Sequence, residues 1–253
     1  MAEPAIAPLE ELRARIREHS PLPPERTEWV VANRYDVIPN RLAFALARWP
    51  LARSAVLDVG CSFGHCLAQF GPGSLGVDNV DDHVRFCRSI GLDALQADVD
   101  VENELAAIPD AGFDFIWLCD LLEHLDAPRL VLRRLAPKLR PGGTLLLYLG
   151  TLPRSRLVRA ACRRAGVVPF EPDVHYYQFT LETARYLVER AGYRVTGIEA
   201  PGLRRRLRPL ARLVLPQSPT LIIAASPDPQ RQLALAEAER RNKPEAEVKP
   251  AAR

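Results

Sequence analysis

Short apolar runs rich in β-branched residues alternate along this chain with segments whose apolar positions recur at helical spacing. That alternation predicts an α/β fold. The runs "SAVLDVG", "SLGVD", "DALQAD", "FDFIWLCD", "GGTLLLYLG", "YRVTGIE" and "TLIIAAS" predict seven strands. The clearest helical periods cover 81–90, 128–139 and 180–191. In "LRPGGTLLL" a proline and two glycines stop a helix just before a buried strand. The expected architecture is a doubly wound, mostly parallel seven-stranded sheet.

Two segments depart from the alternation. Ahead of the sheet, "PLEELRARIREH" and "RLAFALARW" are amphipathic helices on either side of the proline-rich "SPLPPERTEW". They predict an N-terminal helical cap over 1–50, with the main domain covering 51–226. From residue 227 onward the chain has no aromatic residue and many charges and prolines. The tail over 227–253 is therefore expected to be disordered, since little there offsets the entropy of ordering.

Composition narrows the class. With 253 residues, 47% hydrophobic and 26% charged, the chain can bury one substantial core. A formal net charge of +3 does not argue for a nucleic-acid partner. The five cysteines (Cys61, Cys66, Cys87, Cys119 and Cys162) contain no CxxC pair, and the N-terminus lacks a secretory apolar stretch, so the expected setting is a reducing cytoplasm. No apolar run approaches the ~18 residues of a membrane span. Cys61, His65 and Cys66 lack the spacing of a recognised zinc site.

The first four predicted strands share a feature that composition hides. Each ends beside an acid: Asp58 in the turn after the first, then Asp78, Asp98 and Asp120. Ligands of an open parallel sheet bind at the carboxyl ends of its strands. Four carboxylates there would repel a pyrophosphate, and the glycines of "VLDVGCSFG" are not spaced as GxGxxG, which disfavours a nicotinamide dinucleotide. The expected ligand is cationic and rich in hydroxyls. A ribose offers two hydroxyl donors to Asp78, and a sulfonium with an ammonium offers charge to the other acids, as in S-adenosylmethionine.

Over roughly residues 40–226 the chain resembles the class I S-adenosylmethionine-dependent methyltransferases, which have a Rossmann-like fold. The blocks that carry the likeness are "VLDVGCSFG", "LGVDN", "LQADVD" and "FDFIWLCDLLEHLDAP" with "LRPGGTLLLYL". The resemblance implies that Gly60, Ser62 and Gly64 form the loop beneath the methionine moiety, with Asp58 near its ammonium through water. It places the ribose on Asp78, with Asn79 beside it. Asp98 would accept from the adenine amino group, the Val99 amide would meet a ring nitrogen, and Cys119 and Asp120 would lie near the methionine chain. The family's usual middle glycine is Ser62 here. Taken alone, Asp98 and Asp120 also suit helix N-caps.

The methyl acceptor is less directly encoded. "CDLLEHL" would put Asp120, Glu123 and His124 on one face if a helical turn follows the strand. This resembles the pattern of ubiquinone-biosynthesis O-methyltransferases and of small-RNA 3′-end 2′-O-methyltransferases, where related positions can hold a divalent metal. His175 in "DVHYYQFT" precedes a helix as a late histidine does in many relatives. Three readings stay open: a metal site, a general base at a histidine, or packing alone. The expectation taken forward is O-methylation with His124 and His175 as catalytic candidates and no metal. A hydroxyl must lose its proton as it attacks, and a histidine can take it.

Two arginine-rich runs bear on the acceptor. "TLPRSRLVRAACRRAG" carries five arginines and no acid, and "PGLRRRLRPLARLVLPQS" repeats that count. The first suits a small-molecule, lipid-linked or glycan-type acceptor bearing an anionic group. The second sets Leu207, Leu210, Leu213 and Leu215 among its arginines, so 203–215 suits peripheral contact with an anionic membrane. Either run equally fits a solvated helix face. The competing functional class is a catalytically silent domain that binds the cofactor or a partner protein.

Overall fold

The computed structural model describes residues 9–36, 40–165, 175–201 and 220–242. Seven strands build one sheet: β1 (Val56–Val59), β2 (Leu75–Asp78), β3 (Ala94–Gln96), β4 (Phe113–Cys119), β5 (Leu139–Gly150), β6 (Tyr193–Glu199) and β7 (Thr220–Pro227). Their order is β3-β2-β1-β4-β5-β7-β6. The first five pair in parallel, while β7 runs antiparallel to both β5 and β6. The doubly wound, mostly parallel sheet is as expected. The chain winds outward from β1 to β3 and then returns to β4 on the other side of β1, which opens a crevice at the strand ends there.

The central strands read as continuous apolar runs because both faces of the sheet are covered. Leu57, Val59, Ile116, Leu118, Leu145 and Leu147 pack on one face. Val56, Trp117, Leu146 and Ile222 alternate onto the other. Asp58 departs from the expectation: it is not in the turn after the first strand but inside β1, and it is buried.

The helices relevant to the site are α1 (Leu9–His19), α2 (Pro24–Val30), α3 (Asn40–Arg48), α4 (Asp81–Ser89), α5 (Pro128–Leu135), α6 (Arg156–Arg164) and α7 (Leu181–Arg190). Of the N-terminal helices, α3 packs on the sheet, with Leu42 and Ala45 against Val56, Trp117, Leu146 and Ile222, while α1 and α2 pack on α4 and the loop after β1. Leu12, Ile16, Val30, Val31 and Tyr35 pack against Phe63, Phe86 and Ile90, and the Tyr35 hydroxyl donates to the Phe63 carbonyl. The cap thereby pins the loop that follows β1.

The expectation of disorder from residue 227 fails over its first part, because α8 (Pro229–Asn242) is helical and docked. Asp228 caps its first turn by accepting from the Arg231 N–H at 3.1 Å. Leu235 is buried, and Glu239 accepts from Arg129 at 2.7 Å and Arg133 at 2.8 Å. A Cβ on Gly192 would stand 2.5 Å from Gln232 Cγ, so the bare backbone there lets the helix approach. Composition missed these contacts because most of them come from other elements. Residues 243–253 and the arginine-rich segment 203–215 lie outside the described residues.

Candidate functional site

The site begins where β1 ends. Gly60, Ser62 and Gly64 all adopt positive φ, at 75°, 51° and 72°, the left-handed region that glycine enters without strain. The Gly60 and Cys61 N–H groups donate to the Val77 carbonyl at 2.8 and 3.0 Å, which lays the loop across the end of β2. The Ser62 N–H donates to Asp78 Oδ2 at 2.8 Å. Gly64 lines neither of the cavities described next. A Cβ there would meet Cys87 Sγ and Leu92 Cδ1 at 2.8 Å, so its role is to let the loop pack on α4.

Two cavities share Gly60. The larger, about 320 Å³, is lined by Asp78, Asn79, Asp98 and Val99, with His124 and Tyr176 at its edge. The smaller, about 190 Å³, is lined by Asp58, Ser62, Cys119 and Asp120, joined by Arg34, Arg41 and His65. All the cofactor positions named from sequence except Gly64 therefore line one or the other of two cavities that meet at Gly60. Arg34, Arg41 and His65 were missed. Two of them come from the N-terminal cap, and sequence spacing carries no sign that this cap reaches the strand ends.

The smaller cavity gathers several buried polar groups. Asp58 is 2% exposed and its Oδ2 has no hydrogen-bond partner among the described residues. Burial, and then the nearby Asp78 charge, push its carboxyl up to about 8. His65 is pushed down to about 4 by burial and by the Arg34 and Arg41 charges, and its Nδ1 has no partner among the described residues. The Nε atoms of Arg34 and Arg41 also have no partner among the described residues. Buried polar groups normally find partners. Unsatisfied groups of both signs around one cavity fit an α-amino carboxylate, whose ammonium would meet Asp58 and whose carboxylate would meet the guanidinium groups.

At the other end, the Asp78 carboxyl would be raised by burial, but bonds from His83, Val80 and Ser62 outweigh this and hold it below the usual carboxylate range. An ionised acceptor there suits a diol. Burial raises Asp120 despite an Arg41 nitrogen at 3.3 Å.

Asp120 stands close enough to His124 and His175 for their charges to act on its carboxyl, but it is not part of the cluster that Glu123 and His124 form with His175. It takes a positive φ of 49° and lies against Arg41, and only the short turn Leu122–His124 follows the strand. His175 takes the expected place of Asp120. Donor atoms of Glu123, His124 and His175 lie within 4.8 Å of one another, and the two rings meet edge to face at 4.6 Å. The Glu123 carbonyl accepts from the Tyr176 and Tyr177 N–H groups at 2.9 and 3.2 Å, which ties the His175 segment to this turn. Glu123 is buried with Oε2 unpartnered among the described residues, and burial raises its carboxyl. One carboxylate and two imidazoles could hold zinc or manganese, which suit them better than magnesium does.

Residues 30–198 match the family described as a methyltransferase domain. The chain belongs to the S-adenosylmethionine-dependent methyltransferases. This methyltransferase is 36% identical over 123 residues to a ubiquinone biosynthesis O-methyltransferase of Xanthomonas oryzae pv. oryzae, covering 46% of this chain and 51% of that one. The corresponding protein of Xanthomonas campestris pv. campestris is 35% identical over the same length and shares of the two chains. The methyltransferase thus spans about half the length of the curated relatives it matches. Among solved structures it is similar to an S-adenosylmethionine-dependent methyltransferase from Mesorhizobium loti, with a TM-score of 0.52 at 18% identity over 75% of this chain and 98% of that one. One from Archaeoglobus fulgidus gives 0.53 at 20% identity over 79% and 98%. At such identities the likeness is one of fold. No described helix is long and apolar enough to cross a membrane.

Proposed function

We propose that this methyltransferase methylates a hydroxyl of a small-molecule, lipid-linked or glycan-type acceptor, with His124 or His175 receiving the proton. The observation that carries the reading is the pair of imidazoles 4.6 Å apart, one of which lines the cofactor crevice. The partial likeness to ubiquinone biosynthesis O-methyltransferases supports a lipid-linked hydroxyl. Arg154, just before α6, and Arg156, its first residue, are exposed and suit an anionic group on the acceptor.

When bound, S-adenosylmethionine supplies an electrophilic methyl carbon on a sulfonium. Asp78 holds the ribose, Asp98 and the Val99 amide hold the adenine, and Asp58 with Arg41 holds the amino acid end. Fixing both ends leaves one orientation for the reacting centre, and alignment is the largest contribution a protein makes to a one-step displacement. A ring nitrogen of His124 or His175 takes the hydroxyl proton as the oxygen attacks. Glu123, His124 and His175 would hold a divalent ion if one bound, and such an ion would acidify the hydroxyl. Proton transfer to an imidazole needs no ion.

The test is transfer of a tritiated methyl group from S-adenosylmethionine to phenols, polyprenyl phenols and glycans, some carrying phosphate. The reading expects label in a base-stable ether. Calorimetric binding of the cofactor without transfer to any acceptor would favour the catalytically silent class, whereas label released by base as methanol would show a carboxylate rather than a hydroxyl as the acceptor.

A further inference from the structure

We infer that His83 is a positioning residue for the Asp78 carboxylate, an inference that rests on Asp78 being the ribose anchor. Asp78 Oδ1 accepts from the Val80 N–H at 3.0 Å and lies 3.0 Å from His83 Nδ1, while Oδ2 accepts from the Ser62 N–H. An ionised carboxylate only accepts, so His83 Nδ1 is the donor and carries the proton. Two of these three donors are backbone groups that the loop and turn bring with them. His83 is the side chain among them.

His83 works from behind the carboxylate. It is not among the residues that line the larger cavity. Its ring packs edge-on against Phe63 at 4.4 Å, and Phe63 in turn meets Phe86 edge-on at 5.3 Å, so the imidazole is clamped between the glycine-rich loop and its own helix α4. A clamped donor holds the carboxylate in one rotamer before any ligand arrives, as outer partners orient metal ligands elsewhere. Without it, burial would favour the protonated acid, which accepts fewer hydroxyl donors.

The same accounting gives the site a polarity. A carboxylate has about four in-plane acceptor positions. Both positions on Oδ1 are filled by Val80 and His83, and one on Oδ2 is filled by Ser62, so the open position is on Oδ2. One ribose hydroxyl, the one that meets Oδ2, therefore contributes more than the other.

The experiment is calorimetry on the full chain with S-adenosylhomocysteine and its 2′-deoxy and 3′-deoxy analogues. His83→Phe keeps a ring against Phe63 and removes the donor, whereas His83→Asn places an amide nitrogen where Nδ1 stands. His83→Phe should weaken S-adenosylhomocysteine about tenfold, the scale of a hydrogen bond to a charged group, and His83→Asn should restore most of that. Against the analogue lacking the hydroxyl that meets Oδ2, His83→Phe and the native chain should bind alike. A merely structural role would weaken all three ligands equally, and that result, or native affinity in His83→Phe, overturns the inference. Native affinity in Asp78→Ala would instead remove the ribose-anchor assignment on which it rests.

Discussion

Arg41 places a guanidinium nitrogen 3.3 Å from the Asp120 carboxylate and lies over the Tyr148 ring, 5.3 Å from its centroid, so one side chain of the N-terminal cap joins the cavity at the strand ends that we propose for the methionine moiety. The cap is thus part of the site. Its half-buried guanidinium, held by Asp120 and with Nε lacking a partner among the described residues, is oriented before a ligand carboxylate arrives.

Arg41→Ala should therefore weaken S-adenosylmethionine by about ten- to a hundredfold, the range of ~1.5–3 kcal/mol for a hydrogen bond to a charged group. Arg41→Lys should recover only part, since an ammonium lacks the planar fork. Equal affinities in all three proteins, measured by calorimetry, would remove Arg41 from the cofactor site.

Asp58 gives a proton-linked prediction. Its folded pKa of about 8 lies above the unfolded carboxylate value, so between about pH 4 and 8 the folded state holds a proton that the unfolded state has lost. The ligand-free protein should lose stability as pH rises through that window. A ligand ammonium beside Asp58 favours the carboxylate, so binding near pH 7 should expel approximately one proton. Calorimetry in buffers of different ionisation enthalpy reads that count, and Asp58→Asn should abolish the change. An unchanged count in the variant would refute the assignment.

Ser62 sits at φ 51° where the family's usual residue is glycine. Left-handed backbone costs a side-chain-bearing residue about 1 kcal/mol. Ser62→Gly should relieve that strain while keeping the backbone N–H that reaches Asp78, and should raise the denaturation midpoint slightly. A lower midpoint would mean that the serine side chain makes a contact worth more than the strain.

The C-terminal helix makes the opposite of its compositional prediction. Removing 230–253 strips the cover from Leu235's contact surface and leaves Arg129 and Arg133 without Glu239. The melting temperature should drop by about 3–8 °C, the shift that ~2 kcal/mol brings in a chain of this size. Glu239→Gln should produce a smaller drop, because its partners are more than a third exposed and such pairs contribute little. A truncated chain that melts like the full one would show that the helix docks without stabilising.

These outcomes track what was legible. The seven strands could be read because a sheet covered on both faces leaves long apolar runs, and Asp78, Asp98 and Asp120 because acids terminate those runs. The burial of Asp58 inside β1 could not, since a single acid at a strand end looks the same whether the cap covers it or not. Arg41 and His65 were hidden for the same reason: their roles come from the packing of α3 and the loop around a shared cavity. The convergence of His175 on Glu123 depends on two backbone bonds from Tyr176 and Tyr177, contacts that no local pattern announces.

Glu123, His124 and His175 supply the last test, because a base and a metal site make different demands on the same three side chains. A base needs one ring nitrogen within reach of the acceptor hydroxyl, so either His124→Ala or His175→Ala should lower turnover by about 10²–10⁴-fold while the other has a lesser effect. A metal site needs all three ligands, so each single variant, Glu123→Gln included, should lose activity together with bound ion. Activity that survives exhaustive chelation, with Glu123→Gln retaining most of the native turnover, is the expected result. Chelation that abolishes methyl transfer, reversed by manganese or zinc and not by magnesium, would assign the triad to a metal that acidifies the acceptor hydroxyl, whose proton would then go to solvent. Melting curves for every variant separate both cases from packing, which would lower stability and leave the activity of the folded fraction intact.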